Sequence, residues 1–527
     1  MTKNNNNKTG TVKKTYDLDS TSGRAFICQS FAHIFILECK EAGQPIKSIN
    51  GKLMRYNKGI YEDSEEDRAF MKKAIKDIGT REGVTLPTSL IDQTLRLVEL
   101  DTLIKFSDCE PDKDFVIIAN NGIIDMRDWS FKPFDPEKVY FSKIPVDYIE
   151  GVKKPENFMN FIDTCFKGNE QQKDLLQEAF GYCLTKNYKY QDIFYICGEG
   201  GNGKGSAMRI LTEMLGSDNI SSFTLKQLSD VNNVEYNIAM LHGKHANICG
   251  DVGKDGAFNT EHIKRLSSNT DPIQGRHVRE KPFQFINYAK LFFVMNRAPK
   301  TTAHTTGDNR RIRTINFVNS FSEKKSEIKD IHKVIIDAGE MPGVLMWALE
   351  GLKRLEKNQE FTDTRTIAQR AIEYEKKSET MRYFIEEMIE EDIGGMLPRE
   401  ILLEQYSKFV QKVGGAQLGQ NDFKKEFLSE CKEAGWNAVY CKQERLKVLG
   451  SEAEKVLRED YNIIRDRGYI YHGVSLIKNE TEPQKTINKF NSQSQNIKPS
   501  VVGSVSVCNS DLELYEAMIK EQDQETA

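Results

Sequence analysis

Three absences narrow the reading of this 527-residue chain. Its ten cysteines are scattered and none forms a C-x-x-C pair, which argues against a zinc ribbon or a disulfide framework. Cys28, Cys183, Cys197 and Cys249 sit in apolar runs, as buried thiols in a reducing compartment do. No apolar stretch is long enough to cross a membrane, and the Lys/Asn-rich start has no apolar core for a signal peptide. A soluble protein is expected, in a bacterial or phage-infected cytoplasm. Charge of one sign is also missing: 74 Lys and Arg against 78 Asp and Glu leave a formal net charge of -4. Any contact with nucleic acid must therefore come from local basic patches.

The length requires several domains. Residues 1–16 read as disordered, residues 17–150 as a mixed α+β accessory domain, and 151–190 as a helical lead-in suited to oligomerisation. Residues 191–325 form the core. A helical lid or linker over 326–375 precedes a winged-helix-like module over 376–478. A polar tail, 479–527, follows. Within the accessory region, Phe115 to Asp125 reads as two strands around an Asn-Gly turn. The acidic cluster Asp63, Glu65, Glu66 and Asp67 reads as a helix start.

The richest segment is Ile193 to Ser206. An apolar strand runs into a turn made of Gly198, Glu199, Gly200, Gly201, Asn202 and Gly203, then Lys204, Gly205 and Ser206 open an amphipathic helix. Glycines permit the backbone shape that wraps phosphate oxygens in N–H groups. The helix aims its positive end at the anion and Lys204 supplies a point charge. ATP with Mg²⁺ is the expected ligand. The residue after the lysine should carry a hydroxyl for the metal, and here it is Gly205. Either Ser206 reaches the metal through a shifted loop, or water fills that place and Asp251 holds Mg²⁺ through the second shell.

Alternating strands and helices downstream argue for a mainly parallel α/β sheet. Asp251 closes the apolar strand from His245, where an acid for Mg²⁺ or for an attacking water belongs. Asn296 ends the strand Leu291 to Met295, a ligand position at the carboxyl edge of a parallel sheet. Arg310 and Arg311 form a basic motif of the kind that stabilises phosphoryl-transfer charge, including from a neighbouring subunit.

Taken together, these segments resemble a superfamily 3 helicase, of the phage and plasmid primase-helicase type related to the poxvirus proteins. The likeness rests on Asn121 to Asp125, Gln177 to Thr185, Gly200 to Lys204, Lys264 to Ile273, Lys290 to Pro299 and Arg310 to Phe317. It spans roughly residues 50–450. Ser267, Ser268, Asn269 and Thr270 depart from the family's shorter Thr-Gly-Gly turn.

The resemblance implies an AAA+-like P-loop ATPase core. It makes Lys204 phosphate-binding, Asp251 the second acidic motif, Asn296 the sensor, and Arg310 or Arg311 the finger. It further implies a hexameric ring that moves along single-stranded DNA and unwinds a replication fork. In related helicases a hairpin at Ile273 to Phe285 projects into the ring's channel. Here Arg276, His277, Arg279 and Lys281 give it the positive charge suited to DNA phosphates. Many relatives carry a primase domain, and this chain reads as the helicase part, with primase or initiator as a separate partner. The rival reading is a P-loop ATPase that loads on DNA or remodels a protein–DNA complex without processive unwinding.

Overall fold

A computed structural model describes residues 18–477, apart from 64, 199, 230–232, 251–259, 297–309, 318, 320–329, 364, 416, 437 and 446–466. Both expected polar tails, Glu199 and Asp251 lie outside the described residues. The chain forms two compact units. One comprises residues 1–152 with the short segments 184–186 and 214–219, and the other the remainder.

The first unit packs α1 (Thr21–Glu41), α2 (Glu65–Arg81) and α3 (Thr88–Asp101) around Ile27, Phe31, Phe35, Ile75, Leu95 and Val98. Ser20 caps α1 by accepting from the Gly23 amide. Two antiparallel meanders accompany the helices. One joins β1 (Ile46–Ile49), β2 (Lys52–Asn57) and β3 (Ile60–Glu62); the other joins β4 (Val116–Ala119), β5 (Gly122–Asp125) and β6 (Ser130–Lys132).

The expected hairpin is present, but its turn is Asn120-Asn121, because Ala119 pairs with Gly122. Gly122 is a strand residue. A Cβ there would meet the Phe131 ring at 2.4 Å, so ring packing, not turn geometry, requires the glycine. Asn121 instead fastens the turn, exchanging hydrogen bonds with the Tyr148 backbone at 2.9 Å each way. The acidic cluster lies at a helix start, as expected, with α2 beginning at Glu65, and Asp67 is buried and paired with Arg55.

In the second unit, α4 (Glu156–Cys165) and α5 (Glu170–Tyr182) lead to β7 (Ile193–Cys197). Then come α6 (Lys204–Leu215), β8 (Ile220–Ser221), α7 (Leu225–Ser229), α8 (Val234–Ala239), β9 (Ala246–Cys249) and α9 (Thr260–Leu266). The hairpin β10 (Ile273–Gly275) and β11 (Phe283–Phe285) precedes β12 (Lys290–Met295) and β13 (Ile312–Asn316).

The sheet is parallel, in the order β13-β7-β12-β9-β8. Its central strands are apolar without alternation because both of their faces are buried. Phe194 stacks on Phe292 at 4.7 Å on one face, and Tyr195 meets Phe293 edge-on at 6.0 Å on the other. The chain is thus α/β, built on a five-stranded parallel sheet.

After α10 (Ile331–Asp337), the long α11 (Met341–Asn358) lies against α5. Trp347 sits edge-on to both Phe158 and Phe180. The two helix backbones nearly touch: a Cβ on Gly181 would stand 2.3 Å from the Ala348 carbonyl oxygen, and one on Gly351 2.5 Å from that of Gln177.

The chain continues through α12 (Ile367–Ser378), α13 (Thr380–Met388), β14 (Ile389–Pro398), α14 (Arg399–Val413), α15 (Gln420–Glu433), β15 (Val439–Arg445) and β16 (Arg467–Leu476). The last three strands form an antiparallel sheet ordered β14-β16-β15, over a core of Phe384, Tyr406, Phe423, Phe427 and Tyr471. Among these helices β14 is a strand because β16 supplies its pairing, and Gly394 and Gly395 disfavour helix there.

Replacing Gly181 or Gly351 by alanine forces α5 and α11 apart. Each substitution should destabilise the second unit by about 1–3 kcal/mol, the usual cost of overpacking, seen as a lower urea midpoint. An unchanged midpoint would show that the contact yields without strain.

Candidate functional site

Residues at the carboxyl end of β7 form the expected loop. Gly198 has φ +147° and Gly203 has φ +90°, values that favour glycine. Space excludes side chains as well: a Cβ on Gly198 would lie 2.1 Å from Asn202 Nδ2 and 2.3 Å from the Phe317 carbonyl oxygen, and one on Gly203 2.9 Å from Cys165 Sγ. Asn202, buried, donates from Nδ2 to the Phe317 carbonyl at 2.6 Å and so ties the loop to the end of β13.

Lys204 opens α6, whose buried face is made by Ala207, Met208, Ile210, Leu211, Met214 and Leu215 at helical spacing. The Lys204 ammonium donates to the Gly198 carbonyl oxygen at 2.6 Å and to Asn202 Oδ1 at 3.0 Å. The loop is therefore closed around its own cation. Gly200 and Gly205 have open space where a Cβ would stand, and Ser206 is half-buried one position further into the helix.

Strand register sets what lies beside the loop. Met295 pairs with Cys197, so Asn296, exposed, follows at the level of Gly198 on the neighbouring strand. Cys249, at the end of β9, pairs with Phe293 on the other side of β12. By strand order, β7 is followed by β8 at one edge of the sheet and β12 by β13 at the other. That is the switch point outside whose carboxyl ends open α/β sheets take their ligands.

Arg310 and Arg311 are at the opposite edge. The Arg311 carbonyl oxygen accepts from the Ile193 amide at 2.7 Å, at the amino end of β7. Arg310 is exposed and donates to Gln191 Oε1 at 3.3 Å. The five residues of β7 separate this pair from the loop, a rise of roughly 16 Å. That rise keeps both arginines away from the Gly198–Lys204 loop of their own chain.

Another group beside the loop is not evident in the sequence. Asn316, paired with Cys197 on the β13 side, receives a hydrogen bond from Lys377 Nζ at 2.7 Å and donates to Glu373 Oε1 at 3.0 Å. Glu373 also binds Lys377 and Arg365. Burial works to raise its pKa, yet the charges of Lys377 and Arg365 and their hydrogen bonds bring it down to about 2. Asp192, at the amino end of β7, pairs with Arg313 at 2.7 Å, and burial outweighs that partner and lifts its pKa to about 6. The i,i+4 spacing of Glu373 and Lys377 was a signal in the sequence, but their link to Asn316 and the pairing of Asp192 with Arg313 join residues far apart in the chain.

Arg276, His277, Arg279 and Lys281 fall on the turn between β10 and β11, as expected. Arg276, Arg279 and Lys281 are exposed and His277 is half-buried. The Arg276 guanidinium donates to the Glu280 carbonyl at 3.2 Å across the turn, and Arg279 has φ +64°. Two contacts fasten this hairpin to α8: the Arg276 amide donates to the Glu235 carbonyl at 3.1 Å, and Gln274 Nε2 to Glu235 Oε1 at 2.9 Å. Among the described residues no cluster of three or more His, Cys, Asp or Glu is placed to hold a metal ion, and no helix is long and apolar enough to cross a membrane.

Comparisons with known proteins cover two parts of the chain. Residues 38–167 match the family described as D5 N terminal like, and residues 196–311 match a family of unknown function (DUF5906). Among solved structures, the chain is similar to the apo structure of the NrS-1 C terminal region (305-718), at 10% identity and TM-score 0.41, covering 84% of this chain and 98% of that one. It is also similar to the A form apo structure of that region, at 12% identity and TM-score 0.41, covering 83% and 99%.

Proposed function

We propose that this protein is an ATP-dependent DNA helicase of the superfamily 3 type. It works as a ring, hexameric by the family's habit, on the single strand of a forked duplex during replication of a phage or plasmid element, beside a separate primase. The observation that carries the reading is the division of the site between two edges of one sheet. The loop, Lys204 and Asn296 share the carboxyl edge of β7 and β12, while Arg310 and Arg311 stand at the amino edge. Arginines placed there serve a neighbour's nucleotide, which makes assembly a condition of catalysis. The match of residues 38–167 to the D5 N terminal like family supports the same reading. So does the helix-strand-helix-helix-strand-strand order after α12, which is that of a winged-helix-like module.

The loop's chemistry fits a nucleoside triphosphate. Its glycines leave backbone amides approachable, and Lys204 exchanges Gly198 and Asn202 for phosphate oxygens. Ser206 and Asp251 would hold Mg²⁺, directly or through water, and the metal would supply positive charge to the phosphates. Asn296 orients water beside the γ-phosphate, and the neighbour's Arg310 or Arg311 stabilises charge as the terminal phosphoryl group leaves. The basic hairpin at residues 276–281 carries DNA.

Lys204→Ala should lower ATP hydrolysis about a hundredfold or more, the usual effect of removing one charge-stabilising group, with its circular dichroism unchanged. Near-native turnover would remove the loop from the active site. If unwinding of a tailed duplex is also lost, the helicase reading gains; ATPase without any unwinding by the native protein would favour remodelling instead.

Mixing Lys204→Ala chains with Arg310→Ala/Arg311→Ala chains should restore part of the activity, since a native loop can then face a native arginine pair. No recovery from mutants shown by sedimentation to co-assemble would refute the shared site.

Gly205→Ser should fold, because open space surrounds that position. By placing a hydroxyl directly after the lysine, it should lower the Mg²⁺ concentration for half-maximal ATPase several-fold. An unchanged requirement would mean that the metal is held entirely by other groups.

A further inference from the structure

The hairpin carries more than charge. Phe283 and Phe285 are two residues apart on β11 and so project from the same face. Their rings stack at 5.6 Å with 26° between planes. His277, from the turn, continues the stack on Phe283 at 5.3 Å and 20°. His242, from the segment after α8, closes the flank, edge-on to Phe283 at 5.2 Å and to Phe285 at 4.9 Å. The rings rise in order from the core outward: Phe285 packs against the main hydrophobic cluster, Phe283 and His277 are half-buried, and His242 is exposed.

The scaffold beneath is built for this ladder. Gly275 lies directly opposite Phe283 in the hairpin register, and a Cβ there would meet Ala239 Cα at 3.0 Å and the Phe285 ring at 3.2 Å. The absent side chain lets α8 and the ring close over the strand. Along the same turn, Arg276, Arg279 and Lys281 are exposed with Glu280 as the only acid among residues 276–282, and Val278 is 75% exposed at its outermost point. Cations beside a partly open aromatic column are what a single strand requires: phosphates meet the charges and bases meet the ring faces.

We propose that His277, backed by Phe283, presents the outer stacking face for the bases of single-stranded DNA, with Phe285 and His242 as positioning residues that hold the column in line. The proposal rests on the reading of the hairpin as the DNA-binding element. It adds that grip comes from bases as well as phosphates. Every base has a π-face, so the platform accepts any sequence. A duplex, whose bases are already stacked on each other, cannot use it. The strand is therefore told from the duplex by its unstacked bases, on a surface whose positive charge alone would bind both.

The test compares two single strands of equal length and charge, oligo-dT and an abasic strand of the same sugar-phosphate backbone, by fluorescence anisotropy with the full chain. Stacking of a base on an aromatic side chain predicts about tenfold weaker binding of the abasic strand. That gap should close in Phe283→Leu, which keeps an apolar side chain at the site, and 2-aminopurine in the strand should be quenched by the native protein but not by this variant. Equal affinities for the two strands, with strong and salt-dependent binding of both, would overturn stacking while leaving the hairpin's phosphate contacts in place. Failure to bind either strand would overturn the DNA reading itself. Should Phe283→Leu prove unstable, the abasic comparison on the native protein decides the matter alone.

Discussion

Everything at the candidate site depends on the pairing of β12 between β7 and β9. Because Met295 is in register with Cys197 and Phe293 with Cys249, chain segments far apart in sequence leave the sheet at one edge. Aromatic pairs on both faces, Phe194 with Phe292 and Tyr195 with Phe293, hold that register. A slip of one residue would exchange the faces of every side chain and separate Asn296 from the loop. The loop itself has little internal structure to set its shape. It is held by Asn202 reaching the Phe317 carbonyl and by the helix that starts at Lys204. The Gly198 carbonyl and Asn202 Oδ1, which accept from the Lys204 ammonium, are loop groups, so a phosphate bound as proposed would replace neutral acceptors by charged ones. The exchange strengthens the lysine's hydrogen bonds without leaving it unsatisfied at either stage.

The same parallel order that gathers the loop and Asn296 sends the arginine pair away. The chain enters β13 at the amino edge, where the Arg311 carbonyl meets Ile193, and leaves it beside the loop at Asn316 and Phe317. In the proposed ring, one strand would thus have its two ends in two different nucleotide sites. At the loop end, Asn316 is bound by Lys377 and Glu373 of α12, and α13 begins at Thr380, three residues beyond Lys377. Removing Glu373 would take the counter-charge from the buried Lys377, a large penalty, whereas Glu373 would keep Arg365 if Lys377 were lost. The cluster therefore fixes α12 rigidly to the sheet edge at which the nucleotide is proposed to bind.

Much of this was legible from residue patterns. Strands β7 and β12 are continuous apolar runs, the loop has its glycines and lysine in order, and the basic hairpin has polar residues between short strands. Each is a local signal. What escaped is non-local. The Asn-Gly pair at Asn121 and Gly122 reads as a turn, yet the glycine is set by the Phe131 ring and the turn falls one residue earlier. Strand β14 exists because β16, some seventy residues on, pairs with it, and its own acidic start favours helix. The buried Lys377 and Asp192 and the half-buried Glu373 look like solvated faces until their partners are known. The aromatic column was equally hidden, since His242 joins it from another element.

The glycine after Lys204 can be understood in these physical terms. A hydroxyl there would give the metal a ligand, but the first-turn amides of a helix need partners from outside in any case. With Gly205 exposed and nothing within 4 Å of a Cβ position, a polyphosphate can come closer to those amides than a side chain would allow. Glycine in a helix costs about 0.5–1 kcal/mol relative to alanine, a loss that α6 offsets through its long buried face, from Ala207 to Leu215. Direct anion contact with the backbone would then take over part of the work of a metal-held oxygen, and the metal would depend more on water and on acids from the neighbouring strand. The loop's departure from its expected pattern is on this account a shift of charge stabilisation from side chain to backbone, made where the helix already points its positive end.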